Sequence, residues 1–132
     1  MVRFLADGTP DAGFGSGGLA SAGSGSGVAI LELPNGRLMQ AGDTPGPIGS
    51  TPDVALVRYL PSGVVDPTFG DAGILKLDLG GQDFVGGLAY AGPERILLGG
   101  SSEVLGSPNQ ADFAFARFIA ATPVALRSFV VE

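Results

Sequence analysis

The sequence predicts an all-β fold assembled from a repeated supersecondary unit, and three observations predict it. Arg58 to Gly73, RYLPSGVVDPTFGDAG, has an earlier copy at Arg3 to Gly18, RFLADGTPDAGFGSGG. The aligned arginines stand 55 positions apart (58 − 3), and that offset sets Leu5 on Leu60, Gly8 on Gly63, Asp11 on Asp66, Phe14 on Phe69, Gly15 on Gly70 and Gly18 on Gly73 without a gap. A period of this length calls for a stacked or radial architecture, because one unit cannot bury its apolar face until a neighbour covers it. Between the copies, short runs of strand-forming residues alternate with turns rich in Gly, Pro, Asn and Asp. Helix has no support: no stretch keeps apolar spacings of three and four over two turns, and Gly or Pro interrupts nearly every window.

The elements follow in order. Val2 to Leu5 reads as the end of a strand, followed by the turn Ala6-Asp7-Gly8-Thr9. Residues 19–27, LASAGSGSG, read as a short strand and then a loop. Val28 to Leu33 and Arg37 to Ala41 flank Pro34-Asn35-Gly36, and Asn-Gly between apolar runs is a hairpin signal because both residues tolerate positive φ. Gly42 to Pro52 reads as a polar loop, and Asp53 to Leu60, DVALVRYL, as a strand buried on both faces. After the second copy of the turn, Ile74 to Leu79 alternates Leu75, Leu77 and Leu79 against Lys76 and Asp78. Phe84 to Tyr90 and Arg95 to Leu98 repeat the hairpin around Ala91-Gly92-Pro93-Glu94, which reads as a wider turn than Asn-Gly would make. Ser101 to Ala111 is a second polar loop. Asp112 to Ile119, DFAFARFI, matches Asp53 to Leu60 at an offset of 59 (112 − 53). Val124 to Val131 is either a closing strand or the start of a truncated unit. The repeat units are placed at 3–57 and 58–116, with a partial one at 117–132.

Composition is consistent with this. The 132 residues suffice for one modest domain, and 23 Gly and 10 Pro make a quarter of them. Yet 45% of the chain is apolar and the mean hydropathy is +0.36, enough burial to offset ordering entropy. Many tight turns in an all-β domain reconcile the two. The net charge of −6 and the scattered basic residues disfavour nucleic acid. Disulfides and thiolate metal sites are excluded by the lack of Cys. The longest apolar stretch, Phe113 to Val131, is broken by Arg117, Pro123 and Arg127, which speaks against a membrane span. No signal peptide is visible, and Met1 enters directly into the repeat.

Taken together, a strand ending in Arg-Tyr or Arg-Phe, a turn with Ser-Gly or Asp-Gly, Asp-x-x-Phe-Gly, a glycine-bounded strand and an Asn-Gly-Arg turn resemble the delta-60 repeat, a β-propeller-forming repeat of large bacterial surface and secreted proteins. The positions that carry the resemblance are Arg58-Tyr59-Leu60, Ser62-Gly63, Asp66, Phe69-Gly70 and Gly73, their copies Arg3-Phe4-Leu5, Asp7-Gly8, Asp11, Phe14-Gly15 and Gly18, then Asn35-Gly36-Arg37 and Asp112 to Phe118. The resemblance implies a β-propeller-like fold of about two four-stranded blades plus an incomplete third. Two blades are too few to close a propeller, so completion is expected from a homo-oligomer, three chains giving a six-bladed ring as the simplest count. It further implies an extracellular or cell-surface location and carries no catalytic activity.

Candidate sites carry two readings each. Arg58, Arg117 and Arg3 recur at one position: either they line a central channel that binds an anionic ligand, or they are strand arginines paired with Asp53, Asp112 or an acidic neighbour. Asp11 and Asp66 precede a Phe by three residues, where a carboxylate accepts backbone N–H groups of its own turn. With Asp71 they alternatively offer hard oxygen ligands to a cation such as calcium. Lack of His and Cys removes Ser-His-Asp, Cys-His and histidine-zinc chemistry within the chain, and paired carboxylates, for instance Asp43 or Glu103 with another acid, are equally well explained as surface turn acids. Gly13 to Gly18 lacks the lysine and helix of a phosphate loop. The reading is a non-enzymatic structural or binding module without a cofactor, partnered by itself, a glycan or a surface protein. A carbohydrate-binding propeller is the alternative.

Overall fold

The computed structural model describes residues 1–23, 25–45, 51–93, 95–103, 110–119 and 125–131. They form two antiparallel four-stranded sheets in tandem. The first runs in the order β1 (Ser26–Glu32), β2 (Leu38–Thr44), β3 (Asp53–Tyr59), β4 (Ile74–Leu77), the second in the order β5 (Asp83–Tyr90), β6 (Arg95–Glu103), β7 (Ala111–Ile119), β8 (Ala125–Val131). Each is a meander in which sequence neighbours are sheet neighbours.

The repeat is visible in the backbone itself. In the first sheet Leu33 N–H donates to the Arg37 carbonyl, and in the second Ala91 N–H donates to the Arg95 carbonyl. The pairs Glu32↔Leu38 and Tyr90↔Ile96 enclose loops of equal length, so the second hairpin is not wider than the first. Strand register, not the Asn-Gly dipeptide, sets the span. A register shift falls between Gly27 and Ala29 and recurs between Val85 and Gly87, at equivalent places in β1 and β5.

Other expectations shift at element ends. β2 continues to Thr44 and β6 to Glu103, into segments expected as loop, because Asp43 pairs with Val54 and Ser102 with Asp112. The rest of both polar loops, 46–50 and 104–109, lies outside the described residues. Residues 1–23 hold no strand, only the bridges Val2↔Leu19, Phe4↔Pro10 and Ser16↔Leu19, and β1 starts at Ser26, inside the expected loop. The final strand, β8, closes the second sheet by pairing with β7.

Each sheet has two apolar faces, and their use defines the architecture. Leu31, Met39, Val54, Leu56, Arg58 and Leu75 share what we term the leading face of the first sheet, since they sit opposite one another in the strand register. Ile30, Gln40, Ala55, Val57, Tyr59 and Lys76 share its trailing face. The main core joins the leading face of the first sheet to the trailing face of the second, bringing Met39, Val54 and Leu56 together with Val85, Ile96, Leu98, Ala116 and Phe118. Asp43 stitches the two sheets, its carboxylate accepting the Val85 N–H at 3.2 Å. A smaller cluster on the other side packs Phe14 and Ala20 from the N-terminal segment against Tyr59 on the trailing face of the first sheet.

The two copies of the turn are the same structure. Arg58 C=O accepts Asp66 N–H and Arg3 C=O accepts Asp11 N–H; Phe69 N–H and Phe14 N–H return to Asp66 and Asp11. Asp71 N–H reaches Ile74 C=O just as Ser16 N–H reaches Leu19 C=O. Each corner depends on a glycine held at positive φ, Gly70 at 54° and Gly15 at 63°. A β-carbon at Gly70 would meet the Ile74 carbonyl oxygen at 2.2 Å, and one at Gly15 would meet the Leu19 oxygen at 2.2 Å. The Gly70→Ala variant is expected to lose at least about 1–2 kcal/mol from the left-handed backbone alone, with the carbonyl clash added to it. Chemical denaturation measures this. A Gly70→Ala midpoint equal to wild type would mean that the corner is not held as described.

Candidate functional site: the arginine–aspartate corners and the open sheet face

β3 ends in Arg58-Tyr59, and the strand pleat sends the two side chains to opposite faces. Arg58 therefore enters the space between the sheets, where it is 3% exposed. A buried guanidinium needs a counter-charge, and the corner supplies it. Asp66 Oδ2 accepts Arg58 Nε at 2.9 Å and Arg37 Nε, from the first hairpin, at 2.9 Å. Its other oxygen accepts the Thr68 backbone N–H at 3.1 Å and the Thr68 hydroxyl at 2.6 Å, while that hydroxyl accepts Arg58 Nη2 at 2.8 Å. The Arg58 guanidinium carbon lies 4.9 Å from the centre of the buried Phe69 ring. One carboxylate thus ties two arginines, the corner backbone and an aromatic plug into one unit.

Burial acts to raise the pKa of Asp66, but the Thr68 hydrogen bonds, the Arg58 charge and the Arg37 hydrogen bond outweigh it and hold the carboxyl below its ordinary value.

The N-terminal corner repeats the arrangement in the open. Arg3 Nε donates to Asp11 at 2.8 Å, its guanidinium carbon stands 4.6 Å from the Phe14 ring centre, and Asp11 accepts the Gly13 N–H at 2.9 Å. The Arg3 hydrogen bond, then that of Gly13, lowers the Asp11 pKa. Arg3 also donates to the Pro61 carbonyl at 3.0 Å, which fastens this corner to the next one. Arg37, the additional partner of Asp66, was not among the residues that the sequence singled out.

The six expected site residues therefore divide. Arg58 and Asp66 meet in the buried corner, and Arg3 and Asp11 meet in the exposed one. The arginines pair neither with Asp53 nor along the strand but with the acid eight residues on. That spacing is present in both copies and would have revealed the pair. Asp71 is exposed and contributes its backbone to the bridge with Ile74. Arg117 is exposed on β7, has Ala125 eight positions on, and forms no ion pair among the described residues.

Among the described residues, the group of three carboxylates close enough to share a cation lies elsewhere, at Asp53, Asp78 and Asp83. Two of them already serve the chain: Asp83 accepts the Ser102 hydroxyl at 2.6 Å and the Leu79 N–H at 2.7 Å, and Asp78 accepts the Gly80 N–H at 2.7 Å. These bonds anchor the link between the sheets.

A broad concave surface lies on the leading face of the second sheet. Phe84, Leu97, Phe113 and Phe115 frame it, with the backbone of Gly87 and Gly99 as its floor and Arg117 at one end. It is the counterpart of the face that the first sheet buries. Met39, Val54 and Leu56 are each 1% exposed, whereas the equivalent Leu97, Phe113 and Phe115 are 44%, 73% and 58% exposed. A contiguous aromatic patch of this kind makes this face the candidate interaction surface.

Residues 33–69, from the first hairpin turn through β2 and β3 to Phe69, match a family model described as a domain of unknown function (DUF5122) beta-propeller. The matched stretch contains the buried corner and supports a propeller-type repeat. No curated protein and no solved structure matches the chain.

Two expected outcomes follow from the corner geometry. Asp66→Ala leaves the Arg58 charge buried without its carboxylate and should cost about 3 kcal/mol, whereas Asp11→Ala, at an exposed pair, should cost much less. Urea titration of both variants decides it, and equal losses would contradict the ranking. Because the folded Asp66 carboxyl lies below its unfolded value of about 3.9, its stabilisation is complete above that pH and disappears as pH falls through the lowered folded value. The stability gap between wild type and Asp66→Asn should therefore shrink between about pH 7 and about pH 3. A gap that stays constant over that range would count against the ionic role.

Proposed function

We propose that the chain is a non-catalytic structural and binding module of the propeller-repeat type, working through the open apolar face of its second sheet. The observation that carries this reading is the contrast between equivalent faces, one sealed in the core and one presenting Leu97, Phe113 and Phe115 to solvent. An uncovered face of this size gains free energy from any apolar surface that shields it. The acids and arginines, by contrast, are occupied with holding corners and sheet junctions, which supports a scaffold rather than a reaction centre. Self-association through such faces, with three chains closing six blades, is the form that the two-sheet count favours.

The finer assignment, to the delta-60 repeat of bacterial surface or secreted proteins, is supported by the recurrence of the arginine, aspartate and phenylalanine-glycine positions in two structurally equal corners. Among the described residues no helix is long and apolar enough to cross a membrane. Carbohydrate binding has less behind it, because Tyr59 is buried with its hydroxyl donated to Gln40 at 3.2 Å and is not free to stack on a sugar.

The test is the double substitution Phe113→Ser with Phe115→Ser, both at exposed sites. Its binding of an environment-sensitive apolar dye should fall to a small fraction of the wild-type signal while the unfolding midpoint stays put. Unchanged dye binding would overturn the assignment of the working surface.

A further inference from the structure

We infer that the open leading face of the second sheet is covered by the trailing face of the first sheet in a second copy of this chain, in a head-to-tail contact that reuses the chain's own internal stacking. This rests on the reading just given and adds to it the receiving surface and the head-to-tail sense of the contact.

The argument begins with a template. Inside one molecule, a leading face already packs on a trailing face: Met39, Val54 and Leu56 against Ile96, Leu98 and Ala116. The leading face of the second sheet carries the same register positions, filled by Leu97, Phe113 and Phe115. The complementary surface, a trailing face, is buried on the second sheet but only partly covered on the first. There residues 1–22 protect the Tyr59 end, with Phe14, Ala20 and Met1 packed on Tyr59, Leu38 and Val57. Beyond them a cleft of about 460 Å³ remains, walled by Gln40, Gly42, Ala55 and Lys76. Ile30, at the same face, is 55% exposed.

What covers each face is also complementary in kind. In the internal stacking, a trailing face is covered by two things: the strands of the preceding sheet and that sheet's corner, which inserts Phe69 into the core beside Phe118. The first sheet's trailing face has its corner, the segment with Phe14, but among the described residues no strands accompany it. The open face of the second sheet is itself made of strands, so one surface offers a corner without strands and the other offers strands. Both docking surfaces are distinct on one chain, which makes the contact heterologous.

A heterologous contact has a signature that no other occupant of the open face shares. Sedimentation velocity is run on wild type, on the open-face variant (Phe113→Ser with Phe115→Ser) and on a receiving-face variant (Ile30→Glu with Lys76→Glu). All four substituted residues are exposed, so both variants should fold, which circular dichroism and the unfolding midpoint verify. Wild type should associate at micromolar concentration, each variant alone should stay monomeric, and an equal mixture of the two should form a dimer that grows no further. A receiving-face variant that self-associates as wild type does would overturn the assigned surface in favour of like faces meeting. Wild type that stays monomeric while still binding apolar dye at Phe113 and Phe115 would overturn the second copy as partner and leave the open-face reading standing. Unchanged dye binding by the open-face variant as the sole difference from expectation, with the mixed dimer formed, would fall on the earlier reading and not on this one.

Discussion

A β-sheet that is apolar on both faces has to be sandwiched, and that constraint organises the whole molecule. β3 shows it most directly, with Val54, Ala55 and Leu56 all buried although they alternate between the faces. A strand with one polar face could end a stack. This one requires a layer before it and a layer after it, and the chain supplies both: the Phe14 segment on the trailing side and the second sheet on the leading side. The second sheet inherits the same two-sided strands and receives a layer on one side only.

The corner is what turns stacked sheets into a repeat with fixed geometry. Apolar contact is non-directional, so burial alone would let one sheet slide over the next. The Arg58–Asp66 pair removes that freedom because its groups come from different elements: the end of β3, the corner and, through Arg37, the first hairpin. A buried ion pair is weak evidence of stability in itself, since desolvation offsets much of the attraction. Here its multiple hydrogen bonds specify an orientation, seating Phe69 at the junction of the sheets. The exposed copy at Arg3 and Asp11 keeps the arginine and turn N–H bonds without the burial, the second arginine or the hydroxyl, and it too reaches forward, to Pro61 of the following corner. Corner-to-corner contact of this sort propagates the orientation from one unit to the next.

Much of this was legible in the residues. Asn35-Gly36 announced the first hairpin, the 55-residue offset announced two equal corners, and Asp11 and Asp66 do accept N–H groups of their own turns, from Gly13 and Thr68. The ion pairs are harder to read, because arginines and aspartates form two separate series along the chain, although each arginine precedes its acid by eight positions in both copies. Strands run past their expected ends where polar residues continue a ladder: Asp43 and Ser102 look like loop residues, but backbone pairing is indifferent to side-chain polarity at a sheet's end. A count of two blades implies an uncovered apolar blade face, but which strand bears it was not legible from the strands themselves. DFAFARFI and DVALVRYL share a pattern, and one is open where the other is sealed because of what lies beside them.

That last contrast bears on how exposure and stability are balanced. Replacing Val54 and Leu56 by the bulkier Phe113 and Phe115 at equivalent positions enlarges the apolar area of the face that the chain leaves open. Were the face an accident of an unfinished repeat, small or polar residues there would relieve the exposure at no cost to the trailing side, whose Ala114, Ala116 and Phe118 point the other way. Aromatic side chains are instead the kind that contribute most when a partner desolvates them, since large rings lose little conformational freedom per unit of area buried. Glycine at 87 and 99 lowers the floor between those rings and lets an incoming side chain approach the backbone. The net charge of −6 opposes indiscriminate clumping of the exposed faces.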